Sequence, residues 1–279
     1  MWNQVKTVLL LGILTALLLF IGSFFGTSGL MIALAVVVIM NFVTYFFSDK
    51  IVLAMYHAKE IPKSSNPKLH HLVEDICKGY GIPKPKIFLV PTDNPNAFAT
   101  GRNPKHAVVA VTEGILHLLS DRELKGVLAH ELGHVKNRDI LVTTIAVMIA
   151  GTISFVASMA RFAALFGGSR DRDGGDIIGL LVLALLAPVI ALVLQLAIAR
   201  SREYLADQSG ASIIKDADGL ASALQKLERV NKTHPLRFGS PTTASLFIVN
   251  PFTARSFATL FSTHPSTEDR VKRLRALKW

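Results

Sequence analysis

The stretch Ser120-Asp121-Arg122-Glu123 through His130-Glu131-Leu132-Gly133-His134 to Lys136-Asn137 carries both a fold signal and a chemical one. Ser120 followed three residues later by Glu123 is a capping box, so a helix is expected from Asp121 to Asn137. At 3.6 residues per turn, His130 and His134 share one face of that helix and both imidazoles can reach one metal ion. Glu131 lies beside such an ion without being one of its ligands, where a carboxylate can take a proton from water. Two solvated histidines on a helix face are the plain alternative. With 9 His in the chain, the full H-E-x-x-H pattern arises by chance only about once in a hundred such sequences.

Working outward, the helix is followed almost at once by apolar sequence. Four uncharged apolar runs, Val8–Phe25, Leu30–Phe47, Ile140–Ala160 and Ile177–Ala199, are each long enough for about 20 residues of helix to cross roughly 30 Å of hydrocarbon. The first reads as a span, not a cleaved leader, because its apolar core is too long and a second run begins directly after Gly29. The third and fourth either cross fully or form a hairpin that enters the membrane without two conventional spans. Across the 279 residues, 51% are hydrophobic and 18% charged, less polar surface than a water-soluble chain of this length carries. Disorder is excluded by that balance, and a single cysteine, Cys77, excludes an internal disulfide framework. Cys77 falls on the apolar face of a helix expected from Pro67 to Gly81, which marks it as a core thiol.

Basic residues set the orientation. Asp49–Asp139 holds 13 Lys or Arg against 10 acids, and Arg200–Trp279 holds 13 against 7, whereas the links between the paired runs carry no such excess. By the positive-inside rule both large polar segments and both termini face the cytoplasm. The net charge of +10 is then explained by a basic surface beside anionic lipid, and no nucleic-acid motif competes with that account. Four segments follow: a membrane hairpin (1–48), a polar segment with the H-E-x-x-H helix (49–139), a second membrane pair (140–199) and a second polar segment (200–279). Lys86 to Val90 and Ala107 to Thr112 read as strands, and Asn96-Ala97-Phe98-Ala99-Thr100-Gly101, between Pro95 and Pro104, as a short edge strand. After the fourth run, helix is expected through about Ile214, again from Asp218 to Val230, and finally from Ser266 or Thr267. Residues 231–262 give no clear element.

A catalytic zinc takes three protein ligands and leaves one position for water, so a third ligand must come from elsewhere. Glu203 and Asp207, in Arg202-Glu203-Tyr204-Leu205-Ala206-Asp207, are again four apart on one helical face. One of them can bind the metal while the other accepts the remaining ring N–H of a ligand histidine. Alone, the pair also reads as an exposed acidic pair between arginines. Two imidazoles and a carboxylate favour zinc over other divalent ions. His134 stands six residues before the third apolar run and Glu203 four after the fourth, which would hold the metal within a turn or two of the bilayer surface.

His130-Glu131-Leu132-Gly133-His134 followed by Glu203-Tyr204-Leu205-Ala206-Asp207 resembles the HtpX-type membrane zinc metalloproteases and their relatives, the CAAX prenyl endoproteases. The order of apolar runs and motifs matches over nearly the whole chain. Asn96-Ala97-Phe98-Ala99-Thr100-Gly101 is similar to the family's N-A-F-A-x-G segment, and Thr263-His264-Pro265-Ser266 with Arg270 to its late T-H-P…R element. The resemblance implies an α+β integral membrane protein, with about four membrane-embedded helices and a mainly helical gluzincin-like domain bearing a small β-sheet. It implies one zinc ion held by His130, His134 and Glu203, Glu131 as general base, and Asp207 orienting His130. His264 and Arg270 would face the substrate, although His264 reads equally as a surface histidine before a helix cap. Asn96, Ala97 and Phe98 would offer an edge strand to a peptide substrate. The implied function is a zinc endopeptidase of the bacterial inner membrane, acting on misfolded or damaged membrane proteins under stress. Its partners would be protein or peptide substrates and the lipid bilayer. A prenyl-protein endoprotease or a metal-binding scaffold without catalysis are the alternatives; a transporter is disfavoured because the apolar cores hold no ionisable group.

Overall fold

The computed structural model describes residues 12, 15, 16, 19, 26–140, 202–233, 248 and 265–278. Most of the first apolar run, the third beyond Ile140, the whole of the fourth, His264 and nearly all of 231–262 lie outside the described residues.

The chain is mainly helical around one small mixed sheet. A long helix, α1 (Gly26–Met55), leads into β1 (Lys59–Glu60), then α2 (Pro67–Tyr80), β2 (Lys86–Val90), β3 (Ala97–Thr100) and β4 (Val108–Thr112). The short α3 (Glu113–Leu118) and α4 (Asp121–Asn137) follow. Residues 202–214 form α5, and α6 (Ala217–Thr233) and α7 (Thr267–Arg275) complete the described elements. α2 begins at an Asn66 cap and stops at Gly81, whose φ of 64° is the left-handed turn the sequence signalled. The capping box at Ser120 starts α4 at Asp121, and Ser266 caps α7 through the Asp269 amide.

The sheet order is β1-β2-β4-β3, with β2 and β4 parallel and both edge pairs antiparallel. β4 is buried at all five positions, which explains its unbroken apolar run. Val109 and Val111 face the main core with Leu69, Val73, Leu128 and Leu224 of α2, α4 and α6. Val108 and Ala110 face the other way and pack with Phe98 against Val52 and Leu53 at the end of α1. The sheet is thus held between a helical layer and the foot of α1, and the edge strand β3 sits where the two meet. Tyr56 packs on Phe98 with ring centroids 5.5 Å apart, and Arg102, just past β3, stacks over Phe46 of α1.

Along α1, Ile32, Val38, Ile39 and Phe42 are exposed. Among the described residues no single helix is long and apolar enough to cross a membrane; Leu34–Val43 and Tyr45–Met55, bent by 69°, meet the length and composition together. Asn41 donates to Thr15 Oγ1 at 3.0 Å, which joins the second apolar run to the first.

Candidate metal centre

Two helices make the centre, and both approach closely because glycine permits it. α4 carries His130, Glu131 and His134; α5 carries Glu203 and Asp207. A Cβ on Gly210 of α5 would lie 2.9 Å from the His130 backbone nitrogen and 3.0 Å from the Ala129 carbonyl carbon, so a larger residue would push α5 away. With glycine there, Glu203, two turns earlier, is brought opposite both histidines.

His130 Nε2 and His134 Nε2 are 3.2 Å apart. Glu203 Oε1 stands 3.4 Å from His134 Nε2 and Oε2 stands 3.5 Å from His130 Nε2. Each ring's other nitrogen meets a carboxylate: His130 Nδ1 to Asp207 Oδ1 at 2.8 Å, and His134 Nδ1 to Asp139 Oδ1 and Oδ2, both at 3.2 Å. With Nδ1–H donated in each case, two Nε2 lone pairs and a carboxylate converge on one point. That arrangement repels itself unless a cation lies between. At a tetrahedral zinc with Zn–N of about 2.0–2.1 Å, two ligand atoms stand about 3.3 Å apart, so the observed spacings fit the ion. His130, His134 and Glu203 form a cluster able to hold a metal. The electrostatics agree. Burial opposes charge on both imidazoles, yet the surrounding carboxylates outweigh it and raise both, that of His134 well above its ordinary value.

Asp207 is matched by Arg270. The guanidinium of Arg270 donates from Nε to Oδ2 at 2.8 Å and from Nη2 to Oδ1 at 2.7 Å, while Nη1 donates to the Ile248 carbonyl at 2.8 Å. Burial works against the Asp207 carboxylate, but Arg270 and His130 together pull its pKa down to about 2. Here the structure departs from expectation. Arg270, expected to face the substrate, is 2% exposed and turned towards Asp207 behind His130, with Nη1 3.5 Å from the Glu203 carboxylate. The reason is physical: a buried carboxylate needs a charged, hydrogen-bonded partner, and a bidentate arginine satisfies it best.

Glu131 is buried between the metal ligands and β3, where the Ala99 amide donates to its Oε2 at 3.1 Å. Burial pushes this carboxyl up, with His130 and His134 opposing the shift. The register explains why Ala99 is available. Thr112 N–H donates to the Asn96 carbonyl, so alternation along the ladder turns Ala97 and Ala99 away from β4 and towards the edge. The side chains of Asn96 and Phe98 are engaged inside the fold: Asn96 Oδ1 accepts from the Ile248 amide at 3.2 Å, and Phe98 lies in the core beneath α1. Only main chain is offered at this edge by the residues expected to meet a peptide.

Two residues that the sequence reading left aside belong to this centre. Neither Asp139 nor Arg202 carries a role from sequence; Asp139 is buried against the His134 ring and Arg202 is buried next to Glu203 in the chain. An acid placed at the first step into a long apolar run was the available signal for Asp139.

The sequence profile of Peptidase family M48 matches residues 63–278. Proteins described as "Protease HtpX homolog" from Desulforapulum autotrophicum and Pyrococcus abyssi are 52% and 51% identical, over 99% and 98% of this chain and 90% and 95% of theirs. A third, from Persephonella marina, is 53% identical over 98% of this chain and 96% of its own. The crystal structure of S. mikatae Ste24p has a similar fold, with a TM-score of 0.57 at 18% identity, covering 98% of this chain and 65% of that one. With its H-E-x-x-H helix, a carboxylate as third ligand on a second helix and near-full-length relatives at half identity, the chain belongs to peptidase family M48.

Proposed function

We propose that this chain is a zinc-dependent membrane endopeptidase that cleaves misfolded or damaged membrane proteins. One observation carries the reading: His130 Nε2, His134 Nε2 and the Glu203 carboxylate converge on a single point, with the Glu131 carboxylate beside it and an edge strand alongside. The chemistry that zinc supplies when held by those three residues is Lewis-acid polarisation of a scissile carbonyl and of a water molecule.

The chain's own groups do the rest. An extended peptide adds to the sheet along the main chain of Ala97 and the Ala99 carbonyl, which fixes its backbone while reading little of its side-chain sequence. Glu131 takes the proton of the attacking water on a carboxylate oxygen and delivers it to the nitrogen of the leaving amine. The Ala99 N–H aims that carboxylate, and burial keeps it more basic than a surface glutamate. Asp207 holds the tautomer of His130 by accepting from Nδ1, and Arg270 holds Asp207. His264 is proposed to face the substrate as a donor to the developing oxyanion, on the strength of the Thr263-His264-Pro265 resemblance.

The same reading has residues 1–48 as a membrane hairpin and 140–199 as a second membrane-embedded pair. Residues 49–139 and 200–279, which carry the centre, lie in the cytoplasm at the inner face of a bacterial membrane. Support comes from the four uncharged runs, the basic bias of the two polar segments and the exposed apolar flank of α1. The test is cleavage of an unfolded protein by the detergent-solubilised full chain, wild type beside Glu131→Gln, with zinc content measured in both. The variant should keep its metal and lose roughly 10²–10⁴-fold in turnover. Cleavage at the wild-type rate by a zinc-loaded Glu131→Gln chain would end this mechanism.

A further inference from the structure

At the C-terminal end of α4 the chain turns through Arg138, a non-glycine residue in the left-handed region with φ 57° and ψ 35°. Such a conformation costs about 1–2 kcal/mol for a residue with a Cβ. It is retained within a Schellman arrangement, in which Arg138 N–H donates to the Val135 carbonyl at 3.1 Å and Asp139 N–H to the His134 carbonyl at 3.2 Å. The consequence is that Asp139 folds back under the ring of His134. Its two carboxylate oxygens lie 3.2 Å from Nδ1, and the residue is 1% exposed.

Arg202 is also buried here, next in sequence to Glu203. Among the described residues its Nε and Nη1 have no hydrogen-bond partner, and its charge acts on Asp139 and Glu203. Around the first histidine a carboxylate likewise backs the ring, Asp207 meeting Nδ1 of His130 at 2.8 Å.

We propose that Asp139 is a positioning residue that fixes the ring and tautomer of His134 for metal binding. The inference rests on the metal-centre reading above. A left-handed turn that brings the chain back and a buried carboxylate on Nδ1 each support it.

Zinc affinity of the detergent-solubilised full chain, measured by competition with a chelator, provides the test. Asp139→Ala should weaken zinc binding by roughly 10- to 100-fold. Asp139→Asn, whose Oδ1 still accepts from Nδ1–H, should recover most of that loss. Melting of each metal-free variant is recorded beside its affinity, and rescue of affinity by Asn at whatever melting temperature is the result that a purely structural role for the carboxylate would not give. Wild-type affinity in Asp139→Ala, or equal losses in the Ala and Asn variants, would overturn the proposal. Should Asp139→Ala not fold, Asp139→Ser takes its place under the same expectation. His134→Ala is the reference: if it too binds zinc like wild type, the metal-centre reading itself has failed.

Discussion

Replacing Arg270 with Gln removes the partner of a carboxylate that has no access to water. In the native protein Asp207 receives two charge-assisted hydrogen bonds, at 2.7 and 2.8 Å, and the third arm of the guanidinium holds the Ile248 carbonyl at 2.8 Å. Breaking a buried ion pair by deleting one member costs about 3–5 kcal/mol, since the remaining charge stays buried without compensation. For a folded unit of 150–250 residues each kcal/mol moves the melting temperature by about 2–4 °C. The metal-free variant should therefore melt roughly 6–20 °C below wild type in the same detergent. Zinc affinity should fall by about 10- to 100-fold as well, because Asp207 no longer fixes His130. Arg270→Lys should recover only part of both losses, as an ammonium cannot reproduce the bidentate geometry. The paired replacement Arg270→Met with Asp207→Leu separates the two effects. Exchanging a buried pair for apolar groups is often neutral in stability, so melting should return towards wild type while zinc affinity stays low. Melting of Arg270→Gln within about 2 °C of wild type would refute the argument for a buried charge. Recovery of zinc affinity in the paired variant would refute the argument for orientation.

Acid should act through the same carboxylate. Its folded pKa, about 2, lies below the unfolded value near 3.9, so the stabilisation is fully present above pH 4 and is lost as pH falls from about 4 to 2. That difference is worth about 2–3 kcal/mol, measurable as a fall in melting temperature across this window in wild type and its absence when Asp207 is replaced by Asn. Gly210→Ala should lower both stability and zinc content, because the new methyl meets the backbone of His130 and Ala129 at 2.9 and 3.0 Å and cannot be relieved by a rotamer change. Wild-type zinc content in a stable Gly210→Ala chain would show that the approach of α5 to α4 does not set the Glu203 position.

Much of this arrangement is legible because the relevant forces are local. The capping box sets the start of α4 at Asp121, Gly81 ends α2, and β4 announces itself as a continuous apolar run because both of its faces are covered. His130 and His134 are found from i, i+4 spacing, since that spacing is what lets two side chains of one helix act at one point; the same spacing marks Glu203 and Asp207 as a pair, and the family resemblance says which binds and which orients. Arg270 is found too, but its direction is not. It is marked by the resemblance of Thr263-His264-Pro265-Ser266 with Arg270 to the family's late element, and whether it points at a substrate or behind the metal is decided by tertiary packing. α7 is seated so that its guanidinium meets Asp207 in a bidentate pair, with Nη1 on the Ile248 carbonyl and 3.5 Å from the Glu203 carboxylate.

The same reasoning explains why Asp139 and Arg202 escape a reading by pattern. Asp139 is five residues from His134, a spacing that in a continued helix would carry it off the histidine's face. It reaches Nδ1 only because α4 ends at Arg138 in a left-handed turn, a conformation for which an arginine gives no local signal. Arg202 adjoins a metal ligand, and its charge also acts on an acid 63 positions earlier that only the packing of α5 on α4 brings near. What decides both is where helices stop and how closely they pack, through Arg138 in one case and Gly210 in the other. Residues with those two jobs carry no chemistry of their own, yet the orientation of both histidines depends on them.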